Sequence, residues 1–279
     1  MKLSSISWGG LSGLGWPRLG RSQRRFAHVS DLHFGRSATT DQSAARLARA
    51  LEGANLDFVV VTGNVTHRGD SAALGSFQTA FRRFASAGRL VVVPGASDTR
   101  GQNPAAKLMP GYPVQVTEMP GVYVIRVNSS AENIHARDEH FLGAIDAALD
   151  AAPVDRLVVI AIHHSVLPLS ALPEVGRLSL VGSSSSVNPR AAAVLNRALG
   201  RADLVLHGER HVPKHTRIPN DLRPLEIFDA GCSNEFGWVR TFEHDGAGKL
   251  KGAPTWLDIP RDPEAEHTPV PVEFIPAAS

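Results

Sequence analysis

Cysteine is nearly absent: Cys232 is the one thiol in 279 residues. A lone cysteine excludes an internal disulfide framework and points to no particular compartment. No stretch approaches the roughly 18 uninterrupted apolar residues of a membrane span, so no transmembrane segment is expected. Repeats at solenoid or propeller periods are not evident. Acidic residues are missing from the first thirty positions, which carry Lys2, Arg18, Arg21, Arg24 and Arg25. The chain has 29 basic and 27 acidic residues, so without those five the remainder stands at 24 against 27. The positive balance therefore belongs to the N-terminus. A body near neutrality offers no broad electrostatic footprint for a nucleic-acid backbone, and nucleic acid is not an expected partner. What is present is ordinary for a globular protein: 43% hydrophobic and 20% charged residues. At roughly 150 residues per domain the length suits one or two domains.

Both ends read as appendages. Residues 1–24 mix Ser, Gly and Pro17 with Trp8 and Trp16, a loop-like composition. The segment is Arg-rich and acid-free, as transit peptides are, but it lacks the apolar run of a secretory signal. The expectation is a flexible basic extension on a cytoplasmic protein, with an organellar transit peptide or a surface-binding arm as alternatives. Residues 261–279, with Pro263, Pro269, Pro271 and Pro276, read as an extended Pro-rich tail. Residues 25–260 are then the domain proper.

Between the ends, short β-rich runs alternate with helical patterns. Strands are predicted at Phe26–Ser30, Asp57–Thr62, Leu90–Pro94, Val122–Val127, Leu157–Ile162, Leu204–Leu206 and Leu225–Asp229. Ala44, Leu47, Ala48 and Leu51 recur at i, i+3, i+4 and i+7, and Gly53 follows as a stop. Leu74, Phe77, Phe81 and Phe84 form a second stripe closed by Gly88, and Phe141, Leu142, Ile145 and Leu149 form a third. Asn188 as N-cap and Pro189 in the first turn predict a fourth helix, with Val194, Leu195 and Ala198 inward. Strands that are apolar on both faces belong to sheets covered on both sides. The pattern is that of an α/β fold with crossover helices, in which chemistry gathers just past strand C-termini.

Polar residues do recur at those ends. Asp31 and His33 follow the first strand, on one side of an extended chain, and a carboxylate with an imidazole suits a borderline divalent metal. Gly63-Asn64 follows the second strand and Gly95-Ala96-Ser97-Asp98 the third. His163-His164 follows the fifth, and His207-Gly208-Glu209-Arg210-His211 closes the sixth. Recurrence at successive strand ends is harder to reach by accident than any one motif.

In these residues the chain resembles the calcineurin-like metallophosphoesterase superfamily, in order from about Arg25 to about Pro260. The family pattern is D-x-H, G-D-x-x-x-x-G, G-N-H-D, a strand-end His, and G-H-x-H. HVSDLHFGR, VVVTGNVTHRGD, VVVPGASD and LVLHGERHVP follow it with single letters replaced. The resemblance implies a four-layer α/β/β/α sandwich, two mixed β-sheets flanked by helices. It also implies a two-metal centre on strand-end loops and hydrolysis of phosphoesters.

Four positions depart from the pattern. Asn64 stands where the family has an Asp that bridges both metals. Ala96 and Glu209 replace an Asn and a His that serve the second metal, and Ser97 replaces the His that contacts and protonates the leaving group. Asp31, His33, Asp98, His163 and His211 match. Carried over by resemblance, the metal ligands are Asp31, His33, Asn64, His163 and His211, with Glu209 as a further donor. No catalytic residue is intact, since Ser97 takes the place of the His, although Asp98 stays. An Asn carbonyl carries no charge to offset two dications, and Ala96 offers no donor. One Mn, Fe or Zn ion, or none, is therefore expected in place of two. The Ser97 hydroxyl does not protonate near neutral pH, and loss of a general acid typically costs about 10²–10⁴-fold. Glu209 regains the charge lost at Asn64, so a rewired second site among Asn64, His163 and Glu209 is the competing expectation.

Milder readings stand beside these. Asp31, His33 and His211 form a hydrogen-bonded cluster without an ion, Asn64 is a turn residue, Glu209 is a solvated carboxylate, and Asp98 bonds locally. Arg210 grips an anion or makes a surface salt bridge, and His164 neighbours the substrate side. His67, His135, His140, His215, His244 and His267 read as surface or turn residues, and Cys232 as a small buried side chain. Residues 165–187 read as a packed, lid-like loop. Three functions follow. The first is an eroded phosphoesterase scaffold that takes a small phosphoester or a protein partner. The second is an active metal-dependent phosphodiesterase using Asp31, His33, Asn64, His163, Glu209 and His211. The third is an adaptor driven by its basic N-terminus.

Overall fold

The seven apolar runs of the sequence are all strands: β1 (Arg24–Val29), β2 (Phe58–Thr62), β3 (Leu90–Val93), β5 (Val122–Val127), β6 (Leu157–Ile162), β7 (Leu204–His207) and β9 (Leu225–Asp229). Four more were not legible in the sequence: β4 (Val114–Met119), β8 (Lys214–Ile218), β10 (Trp238–His244) and β11 (Thr255–Asp258). The computed structural model describes residues 24–131, 138–167 and 188–260. Most of the basic extension, the Pro-rich tail, most of the 165–187 segment, His135 and His267 lie outside the described residues.

The strands form two mixed sheets, in the orders β11-β10-β1-β2-β3 and β4-β5-β6-β7-β9-β8. In the first, β1, β2 and β3 run parallel while β10 and β11 add antiparallel. In the second, β5, β6, β7 and β9 run parallel between antiparallel edges β4 and β8. Three of the unforeseen strands are therefore sheet edges, where polar side chains are tolerated and blunt further pairing. The fourth, β10, turns Arg240, Phe242 and His244 to one buried face, and those polar residues mask its apolar rhythm. His244 is thus enclosed, not on the surface as the sequence suggested.

Helices cover the outer faces. The helix α1 (Ala38–Gly53) buries Ala44, Leu47, Ala48 and Leu51 against the first sheet, and Ser37 caps it by accepting from Thr40 N–H. The Leu74–Phe84 stripe is buried as expected, but it spans two helices, α2 (Ser71–Ala80) and α3 (Arg82–Ser86), which break at Phe81. After the short α4 (Ala105–Leu108), α5 (Glu139–Asp150) and α6 (Pro189–Ala198) pack on the second sheet. Asn188 caps α6 with Pro189 in its first turn, as the sequence indicated. A last turn of helix, α7 (Ser233–Phe236), precedes β10. Between the sheets, Phe26 stacks on Phe58 at 4.9 Å and on Phe242 at 4.8 Å. Each such ring contributes about 1.5–3 kcal/mol on burial. Arg126 of β5 ties the sheets at their margin, donating from Nε and Nη2 to the Val92 carbonyl of β3 at 2.9 and 2.6 Å. Helix, sheet, sheet and helix make the four layers. Among the described residues no helix is long and apolar enough to cross a membrane.

Candidate metal centre

The loops after β1 and β2 are laced together by backbone bonds. Asp31 N–H donates to the Gly63 carbonyl, His33 N–H to that of Asn64, and Phe34 N–H to that of Val65. The loops after β6 and β7 meet where Gly208 N–H donates to the His163 carbonyl. Among the described non-glycine residues, Asp31, His33, Asn64, Glu209 and His211 have positive φ, with Asn55 and Asn103 the only others. A left-handed backbone costs about 1–2 kcal/mol outside glycine. Strain concentrated in this way persists only where surrounding contacts impose it. Gly208 permits the approach of the β7 loop, since a Cβ there would lie 2.6 Å from Asp31 Oδ2.

Asp31, His33 and His211 come together: one ligand atom of each lies within 4.8 Å of the others. Asp31 is fully buried, with Oδ1 3.3 Å from His211 Nε2 and 3.7 Å from His33 Nε2. Its other oxygen is held from behind by Ser30 Oγ at 2.8 Å and by Glu209 N–H at 3.1 Å. Burial alone would raise the Asp31 carboxyl. The His211 hydrogen bond and the charges of His163, His211 and His33 outweigh it and hold Asp31 well below the usual carboxylate range. The same hydrogen bond raises His211. Burial pushes His33 down to about 4 despite Asp31 beside it, so its ring is neutral at pH 7.

Asn64 reaches Asp31 through its amide nitrogen, Nδ2 to Oδ1 at 2.8 Å, while its carbonyl oxygen accepts from Ser97 N–H at 2.9 Å. Glu209 turns its carboxylate to the Ser165 N–H at 2.7 Å, and its backbone N–H alone faces Asp31. His163 donates from Nδ1 to the Thr62 carbonyl at 2.8 Å, which leaves Nε2 unprotonated in the neutral ring. Neither His163 nor Glu209 joins the three-residue group. Asp98 does bond locally, accepting from the N–H groups of Val65, Thr66 and Gly95 and from Thr66 Oγ1. His164 pairs with Ser129 Oγ at 2.7 Å, and burial, with His163 and Arg190, pushes it down to about 3. Arg210 makes no salt bridge among the described residues; it bonds Ser165 Oγ and the Leu167 carbonyl and lines a neighbouring pocket.

The sequence did not identify two contributors. His67 packs its ring 5.6 Å from that of His33, brought there by the bridge between Phe34 and Thr66. Ser30 orients Asp31. Neither carries a spacing signal, since their roles arise from pairing between β1 and β2 loops.

The donor set fits one divalent cation. Both ring nitrogens of His33 are buried without a hydrogen-bond partner among the described residues, which is costly for an imidazole unless something binds it. An anionic Asp31 and two imidazoles suit Mn, Fe or Zn. The residues do not fit a second ion equally well. The Ala96 side chain has no donor, and the side-chain polar atoms of Asn64 and one carboxylate oxygen of Glu209 are engaged in the bonds above.

A family model described as calcineurin-like phosphoesterase matches residues 24–213. No curated protein sequence matches the chain. Solved structures share its fold. Purple acid phosphatase PPD1 from yellow lupin (Lupinus luteus) seeds superposes with a TM-score of 0.59 at 11% identity, over 85% of this chain and 54% of its own. The present chain thus spans about half the length of the lupin enzyme. A dimetal phosphatase from Danio rerio gives 0.53 at 10% identity, over 85% of this chain and 99% of its own. GAP50, the anchor in the inner membrane complex of Plasmodium, gives 0.52 at 13% identity, over 87% and 91%.

Proposed function

The chain belongs to the calcineurin-like phosphoesterase family, and on that premise we propose that it is a phosphoesterase scaffold with an eroded centre, holding one divalent cation or none and turning over ordinary phosphoesters weakly or not at all. The observation that carries this reading is the Asn64 amide, engaged by Asp31 Oδ1 on one side and Ser97 N–H on the other. A neutral amide so held is a poor bridge between two dications.

Asp31, His33 and His211 would hold the cation, and a bound cation supplies Lewis-acid polarisation of a phosphoryl oxygen. Ser30 and the Glu209 N–H fix Asp31 so that Oδ1 faces the imidazoles. The Ser97 hydroxyl is too weak an acid near neutral pH to protonate a leaving group as an imidazolium does, so esters with good leaving groups are the ones that retain turnover. The ligand is a small phosphoester or a protein partner.

His163 favours a second reading. Its unprotonated Nε2 is the lone pair a cation needs. On that reading the chain is an active phosphodiesterase with a weak second ion among Asn64, His163 and Glu209.

The test is metal analysis with an activity assay. Purified protein supplied with Mn²⁺, Fe²⁺ or Zn²⁺ should bind at most one equivalent, and Asp31→Ala and His33→Ala should lose it. An aryl phosphodiester should turn over close to background. Two bound equivalents with strong turnover, abolished by those variants, would establish the second reading instead.

A further inference from the structure

Three strands of the second sheet carry a row of polar side chains outside the metal centre. His207 on β7 pairs in register with Asp229 on β9, and Asp229 pairs with Lys214 on β8. The row faces the helix side, because Val205 and Ile227, two residues back on β7 and β9, belong to the outer core. Arg210 is anchored beside it, by Nε to Ser165 Oγ at 2.7 Å and by Nη2 to the Leu167 carbonyl. Ser165, Leu167, His207, Arg210, Lys214 and Asp229 line most of one pocket, which opens to solvent and contains no member of the Asp31–His33–His211 group.

The pocket wall holds two unanswered polar atoms. Asp229 is 2% exposed, and its Oδ1 accepts from Gly231 N–H at 2.8 Å. Its Oδ2 lies 3.3 Å from His207 Nδ1, but that nitrogen bonds the Gly208 carbonyl at 3.0 Å, and Oδ2 has no hydrogen bond among the described residues. Arg210 Nη1 is buried and also has no hydrogen-bond partner among the described residues. A buried polar atom left unpaired costs about 1–3 kcal/mol, and more when charged. A donor and an acceptor left open on one cavity therefore call for an occupant.

The lining chooses among occupants. Arg210 and Lys214 repel a cation. Burial pushes the Asp229 carboxyl well above its ordinary value, which weakens its opposition to an anion. The open donor on the wall is Arg210 Nη1, with Lys214 lining the same pocket. The enclosed part has room for about one oxygen atom, with the rest of a larger group in the open mouth.

We propose that this pocket binds a small oxyanion, a phosphate or carboxylate group, with Arg210 Nη1 as its principal donor. The biological ligand rests on the phosphoesterase reading: a phosphoester bearing a second acidic group. Arg210 sits between Glu209 and His211, so the loop that supplies the metal group's third member also supplies this grip.

The test uses the metal-free full chain with inorganic phosphate as the probe, so it does not depend on the cation. Calorimetric titration of EDTA-dialysed protein should reveal one saturable phosphate site. R210Q should weaken binding by about tenfold or more, the effect of losing one charge-assisted hydrogen bond. K214Q should weaken it as well, and serves if R210Q does not fold. H33A should leave the affinity unchanged. A parallel titration with acetate separates a carboxylate site from one that needs phosphate. No saturable site, or an affinity untouched by R210Q and K214Q, overturns the proposal and leaves the metal reading standing. Loss of binding in H33A would move the phosphate to the metal group and overturn it equally.

Discussion

Asn64 donates its side-chain amide to Asp31 over 2.8 Å, onto the same carboxylate oxygen that lies 3.3 Å from His211 and 3.7 Å from His33. A neutral donor thereby braces the group without an ion. Replacing that amide with a carboxylate would set two anions against each other in a buried site and cancel the bond from Ser97 N–H only in part, since an oxygen remains to accept it. Asn64→Asp is therefore expected to lose roughly 3 kcal/mol or more in EDTA, the scale of an uncompensated buried charge. At about 2–4 °C per kcal/mol, its melting temperature should fall by roughly 6–12 °C. Mn²⁺ should restore more stability to the variant than it adds to the natural protein. A variant as stable as the natural chain in EDTA would refute the bracing role.

Much of this arrangement is visible before any coordinates. Val158–Ile162 and its counterparts announce parallel strands because both faces are covered. Asp31, His33 and His211 are legible because each follows such a strand. The direction in which Asn64 presents its amide is not, because it depends on Ser97 N–H arriving from another loop. Nor is the bond from Ser165 N–H to the Glu209 carboxylate, which joins residues 44 apart. Edge strand β8, reading Lys-His-Thr-Arg-Ile, lacks an apolar rhythm because one side of it never meets the core.

Glu209 offers a direct discrimination between positioning and ligation. Its carboxylate accepts from Ser165 N–H, and a glutamine carbonyl at the same place can do so too. The backbone N–H that holds Asp31 is unaffected by the change. Glu209→Gln should thus keep cation affinity within about threefold, where removing an oriented supporting group typically costs about 10–100-fold. Calorimetry with Mn²⁺ reads this directly. A loss beyond about tenfold would make Glu209 a ligand.

Acid should weaken the fold through buried histidines between the sheets. His28 is fully enclosed with Nε2 2.8 Å from Thr62 Oγ1, and burial first, then Arg240 and His207, hold it well below 6.5. Burial likewise pushes His244 down to about 4. In the unfolded chain both take up protons near pH 6.5. Between about pH 6.5 and 4 the unfolded state binds more protons than the folded one, so stability falls as pH falls. Above that window both states are neutral and the effect vanishes. For His244 the span corresponds to something on the order of 3 kcal/mol. Urea midpoints should decline steadily from pH 7 to pH 5, and His244→Gln should flatten the decline. A midpoint that rises over that range would reverse the sign argued here.

Gly95 offers a test that isolates space from backbone conformation. Its φ of −109° and ψ of −179° are open to any residue. A Cβ would press on the Asn64 backbone nitrogen and lie 2.5 Å from Asn64 Oδ1 and 3.0 Å from Cγ. Gly95→Ala must therefore push the amide away from Ser97 and Asp31, at about 1–3 kcal/mol for overpacking. Asn64 itself has a φ of 47°, which glycine adopts freely. In an Asn64→Gly background the side-chain part of the clash is gone and the backbone part stays. Gly95→Ala should cost less there than in the natural chain, by about 0.5–3 kcal/mol of coupling. Strictly additive costs would mean that Gly95 makes room for something other than the Asn64 amide, and the bond to Asp31 would need another support.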